Sequence, residues 1–336
     1  MSALPDLSRR VVLAGMGALC ATPNAENVSW VRLIEAPSNL GLRPPRPGCE
    51  PGVWRAPAAL RSTGLHRAIR PASTISLPRP LYRFEPQSGT RIRNGIEIRR
   101  FSEELGSAVS DALNARTFPL VVGGDCSVLL GCLFGARAAG RIGLLHIDGH
   151  SDFYHPENYD AASRLGAAAG MDLALATGRG EPLLALWDGR ALVEDAHVVQ
   201  IGERDELEPD FDYRDIEATP IRRFPIRKVL SAGIQATIAR ALAPVDGERR
   251  PLWLHLDLDV LDARSLPAVD SPGSPGLIFE ELALLLAGLL CSGRVFGMNV
   301  GIYDPELDQD GRYGQLIVAW LARGLAPILN IEGPGE

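Results

Sequence analysis

The sequence predicts a single α/β domain built on a parallel sheet with helices on both faces. Three observations carry this expectation. From residue 118 onward, short apolar runs of strand length alternate with longer runs of helical spacing. Charged clusters follow four of these strands, where ligands bind in open parallel sheets. A chain of 336 residues that is 46% hydrophobic also has ample material for a large core.

In chain order, Val28 to Ala36 reads as the first strand and Pro37-Ser38-Asn39-Leu40-Gly41 as the turn leaving it. Residues 44–92, rich in Pro, Gly and Arg, read as an irregular insertion with one short helix around Ala56–Gly64. Ser102 to Ala115 has helical spacing, with Ser102 as N-cap and Glu103 and Glu104 in the first turn. The alternation then runs through strand Phe118–Val122, helix Val128–Ala139, strand Ile142–Ile147 and strand Val198–Gly202. It continues with helix Ala232–Leu242, strand Leu252–Leu258, helix Phe279–Leu290, strand Val295–Val300 and helix Tyr313–Arg323.

Bulk properties narrow the function. A formal net charge of −7, with basic residues scattered, argues against a nucleic-acid partner. Five Cys at wide spacing without any Cys-x-x-Cys form neither a disulfide framework nor a zinc ribbon, so most are expected to be buried thiols. Ser8-Arg9-Arg10 before the uncharged stretch Val11 to Ala21 has the layout of a short twin-arginine export signal. Residues 1–27 are therefore expected to form an N-terminal extension and 28–336 one domain, cytoplasmic or exported by that route. No later segment approaches the roughly 20 apolar residues of a membrane span.

The chemistry is concentrated in two runs. Asp148, His150 and Asp152 close one apolar strand, and Asp257 and Asp259 close another about a hundred residues later. Isolated, an Asp-x-Asp pair reads as a loop or helix cap; two such strand ends plus a His read as a cage for divalent cations. Buried like charges otherwise repel and push their pKa values up, whereas cations hold them ionised. His146 and His255 precede the Asp residues by two positions and share their strand face, as groups that support ligands.

These runs, with Gly123-Gly124-Asp125-Cys126-Ser127, Ala36-Pro37-Ser38-Asn39-Leu40-Gly41 and Ile201-Gly202-Glu203-Arg204-Asp205, resemble in their order the ureohydrolase superfamily of arginases, agmatinases and their relatives. The resemblance implies a three-layer αβα sandwich on a mostly parallel sheet of about eight strands, assembled as a trimer or hexamer or with a paralogous subunit. It also implies two Mn²⁺ ions bridged by hydroxide, with no organic cofactor. By that resemblance Asp148 and Asp257 bridge the pair, Asp152 and Cys126 complete one ion, and His150 with Asp259 the other. Cys126 stands where the family has His. A thiolate there suits Zn²⁺ or Fe²⁺ better than Mn²⁺, with Ni²⁺ a further option, or weakens one site; alternatively Cys126 is an inert small residue beside the cage.

Three departures bear on the substrate. The family's proton-shuttling His falls on Ala169, so His155 is the candidate acid, with Asp152 orienting the nucleophile. The Glu that grips the guanidinium in arginases falls near Gly301 or Ile302. Phe153-Tyr154-His155 replaces the polar residues that bind an amino-acid carboxylate, and Leu207 stands where an acid is expected. Tyr154 and Tyr303 are candidate pocket walls, while Glu203, Asp205 and Glu206 read as a cation grip or a solvated loop. The expected activity is hydrolysis of a C–N bond in a modified guanidino or amidino small molecule. The alternatives are a weak or inactive metal-binding paralogue and a metal-dependent amine deacylase.

Overall fold

The computed structural model describes residues 30–162, 164–209, 213–244 and 249–329. The extension over 1–27 and the expected strand start at Val28 lie outside them. In chain order the elements are β1 (Val31–Ala36), α1 (Ala56–Ser62), α2 (Leu65–Ile69), β2 (Ser73–Ser76), α3 (Gly95–Asn114), β3 (Phe118–Gly123) and α4 (Val128–Ala136). Then follow β4 (Gly143–Ile147), α5 (Asp172–Ala176), α6 (Pro182–Ala185), β5 (Val198–Ile201), β6 (Arg222–Phe224), α7 (Ile226–Ala232) and α8 (Ile234–Ala241). The chain closes with β7 (Leu252–Asp257), α9 (Phe279–Leu290), β8 (Val295–Gly301), α10 (Arg312–Gly324) and α11 (Ala326–Leu329).

Eight strands form one sheet in the order β2-β1-β3-β8-β7-β4-β5-β6, every pairing parallel. Alternate residues feed opposite faces. Leu33, Leu120, Leu145 and Leu254 pack with Leu60 of α1, Leu285 of α9 and Leu321 of α10. Their neighbours Ile34, Val121, Leu144 and Trp253 pack with Phe101 of α3, Leu130 of α4 and Leu173 of α5. The result is the three-layer αβα sandwich. Burial on both faces explains why the inner strands read as continuous apolar runs.

The edges depart from expectation. Residues 44–92 hold two short helices and the edge strand β2, and β6 forms the other edge. Ser-Thr-Ile-Ser and Arg-Arg-Phe are too polar to read as strands, and edge strands tolerate such residues because one flank meets solvent. Helix α3 begins after Asn94, which takes a left-handed φ of 54°. Ser102 is therefore buried mid-helix rather than a cap, where a small residue lets α4 approach: a Cβ on Gly131 would lie 2.8 Å from the Ser102 carbonyl oxygen. The helix read as Ala232–Leu242 runs Ile234–Ala241, and Ala232 instead ends α7, with Gly233 at φ 81° between the two.

Cys126 and Cys132 are buried free thiols and Cys49 is a partly buried one. Among the described residues no helix is long and apolar enough to cross a membrane. Strand register sets up the site. Ile147 pairs with Leu256, so Asp148 and Asp257 leave adjacent strands side by side. Both lie on the central strands flanking the point where the strand order reverses, the usual ligand position in such sheets.

Candidate metal centre

Asp148, Asp257 and Asp259 each commit one oxygen to a backbone N–H and leave the other free of the backbone. Asp148 Oδ1 accepts from the His150 N–H at 2.7 Å, Asp257 Oδ1 from the Asp259 N–H at 2.7 Å, and Asp259 Oδ1 from the Gly149 N–H at 2.9 Å. The two motifs thus lock each other. Asp125 does the same for the β3 loop, accepting from Ser38 Oγ at 2.8 Å and the Ser127 N–H at 2.9 Å, which presents Cys126. Gly124 is required there because a Cβ would lie 1.6 Å from the Ser38 carbonyl oxygen. Asp152 takes a left-handed φ of 47°, which Asp adopts more readily than most residues, and its carboxylate lines the cavity.

Cys126, Asp148 and Asp257, together with His255, offer ligand atoms that all lie within 4.8 Å of one another, and so do Asp148, His150 and Asp259. The two sets share Asp148. A third set joins Asp148 and Asp152 with His146. Asp257 falls within reach of the Cys126 set only. The Cys126 thiol donates to Asp257 Oδ2 at 2.6 Å, and His150 Nδ1 lies 2.8 Å from Asp259 Oδ2. His150 Nε2 faces Glu208 Oε2 at 3.1 Å, which fixes the ring. Asp148 Oδ2 is fully buried without a hydrogen-bond partner, an expensive arrangement that a cation would resolve. The donor set therefore fits divalent cations.

Electrostatics point the same way. Burial pushes Asp257 and Asp152 well above the usual carboxylate range, and neighbouring carboxylates push them further. Burial also raises Asp148, with Asp259 adding to it. Cys126 is raised well above an ordinary thiol by burial and then by Asp257. Burial alone would lower His150 and raise Asp259, yet their mutual attraction outweighs it, so His150 is held well above and Asp259 below the usual values. Protons thus occupy positions that cations would take, and loading would release them.

A cavity of about 580 Å³ opens over these groups, a volume suited to a small-molecule site. Cys126, His150, Asp152, Asp257 and Asp259 line it, as do Tyr154 and Ala169. His155 does not. It is buried beside the loop with its Nε2 paired to Asp215, because the chain turns away after Tyr154, so the structure does not put it at the reacting centre. Tyr303 also turns inward, donating to Asp308 Oδ2 at 2.6 Å.

Glu203 and Asp205 are buried struts rather than a solvated loop. Glu203 pairs with Arg223 at 2.6 Å, and Asp205 Oδ1 accepts from the Ser151 N–H at 3.0 Å. Burial and then Glu203 raise Asp205 to about 7. A raised folded pKa contributes stability that is complete below the unfolded value of about 4 and lost as pH rises through about 7. In chelator-treated protein, Asp205→Asn is therefore expected to gain on the wild type in Tm between pH 4 and 8. A Tm difference independent of pH would contradict this assignment.

Sequence reasoning missed Asp270 and Ser271, which reach the cavity from the loop after β7, and Arg43 and Arg164, which also line it. None sits in a strand-end motif. It also missed Asp172, fully buried at the start of α5 and 3.1 Å from His146 Nε2.

Fold and cage together define the class of α/β metallohydrolases whose cation site lies at the sheet's reversal point. Comparison with known proteins narrows it. The Arginase family profile matches residues 32–326. Arginase from Brevibacillus brevis is 31% identical over 282 residues, 81% of this chain and 91% of that protein, and arginase from Bacillus caldovelox is 29% identical over 300 residues, 86% and 95%. The crystal structure of the Bacillus caldovelox enzyme superimposes with a TM-score of 0.74 at 27% identity, covering 88% of this chain and 97% of that one. The chain belongs to the arginase family.

Proposed function

We propose that this protein is a metal-dependent hydrolase of a C–N bond in a modified guanidino or amidino small molecule. The observation that carries the reading is the overlap of two ligand sets at Asp148 beneath a 580 Å³ cavity. Cys126, Asp148, Asp152 and Asp257 would hold one cation, and Asp148, His150 and Asp259 the other. When bound, two divalent cations supply hydroxide as a nucleophile at neutral pH, Mn²⁺ being the family's ion and Zn²⁺, Fe²⁺ or Ni²⁺ suiting the thiol. Asp152, facing the same space, orients the nucleophile through its carboxylate.

Two features of the cavity bear on the substrate. Ile302 lines it where the family's guanidinium-gripping Glu falls, but Asp270 presents a carboxylate from another loop. One Asp270 oxygen accepts from Ser271 Oγ at 3.1 Å, leaving the other for an amidinium N–H. Arg43 Nη2 lies 3.5 Å from the Tyr154 hydroxyl and Arg164 stands 4.9 Å from the Tyr154 ring centroid, so the cavity wall at Tyr154 is cationic. A substrate that brings an anionic or neutral group there suits it better than one that brings an amine. Tyr213, also at the cavity, is raised to about 12 by burial and so remains a neutral O–H donor at pH 7.

Asp270→Asn is expected to raise KM for a guanidino substrate roughly thirtyfold with kcat little changed, since a charged hydrogen bond of about 2 kcal/mol made equally in ground and transition states is lost. An unchanged KM would remove Asp270 from the site. The activity itself is tested by urea release from 4-guanidinobutanoate, arginine and agmatine after reconstitution with Mn²⁺, Fe²⁺ or Zn²⁺. Urea from the acid supports the reading. A second reading, hydrolysis of acylated amines, draws on Ala169 and Ile302 in the cavity wall; carboxylate release from such amines without urea from any guanidino compound would replace the first.

A further inference from the structure

Behind the cage, His146 and His255 are register partners on β4 and β7, their rings stacked at 4.8 Å, and Asp172 of α5 closes the group. All three are fully buried. With Asp148 they have the donor count of a further cation site: His255 Nε2 lies 3.5 Å from Asp172 Oδ2 and 3.7 Å from Asp148 Oδ2, and none of these three atoms has a hydrogen-bond partner. The hydrogen-bond chain leading into His255 decides against a cation. Trp253 Nε1 can only donate, and it donates to Asn299 Oδ1 at 2.8 Å. The Asn299 amide nitrogen must then face His255 Nδ1, as it does at 2.7 Å, and an amide nitrogen also only donates. His255 Nδ1 is therefore an acceptor, and the ring hydrogen sits on Nε2. An N–H there cannot ligate a cation.

We propose that His255 is a positioning residue: locked by Trp253 and Asn299 into the Nε2–H tautomer, it directs that hydrogen at Asp148 Oδ2 and Asp172 Oδ2 and so sets how Asp148 is presented to the ions. The assignment rests on the two-cation reading above. Polar groups outside the ligand set commonly govern metal affinity by about 10–100-fold, and an N–H 3.7 Å from Asp148 Oδ2 acts on that oxygen electrostatically, short of a formed hydrogen bond. His255 sits two residues before Asp257 and is paired in register with Asn299, so one sheet register builds both the latch and the cage.

Two measurements test it. Nitrogen-15 NMR of the metal-free protein should report the Nε2–H tautomer for His255; the Nδ1–H form would overturn the proposal. Calorimetric titration with Mn²⁺ and Zn²⁺ should give two ions per wild-type chain, and His255→Leu should weaken binding by about 10–100-fold. His255→Gln, whose amide can restore an N–H near Nε2, should return affinity to within a few fold, while Asn299→Asp, which favours the opposite tautomer, should behave like His255→Leu. Affinity equal in all four proteins, or loss in the Leu variant without Gln rescue, overturns the latch alone. Three ions per wild-type chain would make the cluster a cation site instead. A wild-type chain that binds none overturns the two-cation reading and the latch with it.

Discussion

Asp257→Asn is expected to strip the protein of metal and turnover while making the metal-free chain more stable. The carboxylate lies within ligand reach of Cys126 and Asp148, and an amide oxygen in its place is a neutral, weaker donor. Bound metal should fall from two ions to one or none. Loss of about 4 kcal/mol of transition-state charge stabilisation corresponds to roughly a thousandfold slower kcat. Without metal the sign reverses. Burial, then Asp259 and Asp148, raise the Asp257 pKa, so its contribution to stability is present at low pH and lost as pH rises through the folded value. In chelator the variant should therefore melt above the wild type at pH 8, with the gap closing as the pH is lowered towards 4. A variant that keeps two ions would contradict the cage.

The second large effect is expected at Arg204. Its side chain is fully buried and holds three things at once: the Asp259 carbonyl at 2.9 Å, the Ser271 carbonyl at 3.2 Å and the Glu208 carboxylate. Glu208 in turn orients His150. Arg204→Met leaves the Asp259 and Ser271 carbonyls without their donor and Glu208 with His150 alone, a change that costs about 1–3 kcal/mol per carbonyl and about 3–5 kcal/mol in all. Thermal unfolding should show a drop of roughly 6–20 °C at the usual 2–4 °C per kcal/mol for large domains. Ion affinity should fall too, because His150 loses its brace. A shift within a degree or two would show that Arg204 contributes little to the framework.

The candidate ligands were legible because they lie at strand ends with short fixed spacings, and a parallel sheet brings the carboxyl ends of its strands to one edge. What was not legible depended on register or on loop return. Asp270 follows Asp259 by eleven positions and reaches the cavity only because Leu277 bridges back to Leu261 and Asp262 Oδ2 accepts from the Gly276 N–H. The Trp253–Asn299–His255 chain crosses between β7 and β8, a pairing no local pattern announces. His155 lies against Asp215 and outside the cavity lining, because nearness in sequence to Asp152 does not survive the turn after Tyr154. Ser102 resembles a cap because Gly95 and Asn94 disguise the true helix start, although Ile98 and Phe101 already continue its buried face.

Anomalous diffraction from crystals grown with Mn²⁺ or Zn²⁺ tests the central claim most directly. Two peaks are expected at the ends of β4 and β7, both within coordination distance of Asp148, one shared with Cys126 and Asp257 and the other with His150 and Asp259. No peak beside Asp148, or ions bound only elsewhere on the chain, would contradict it.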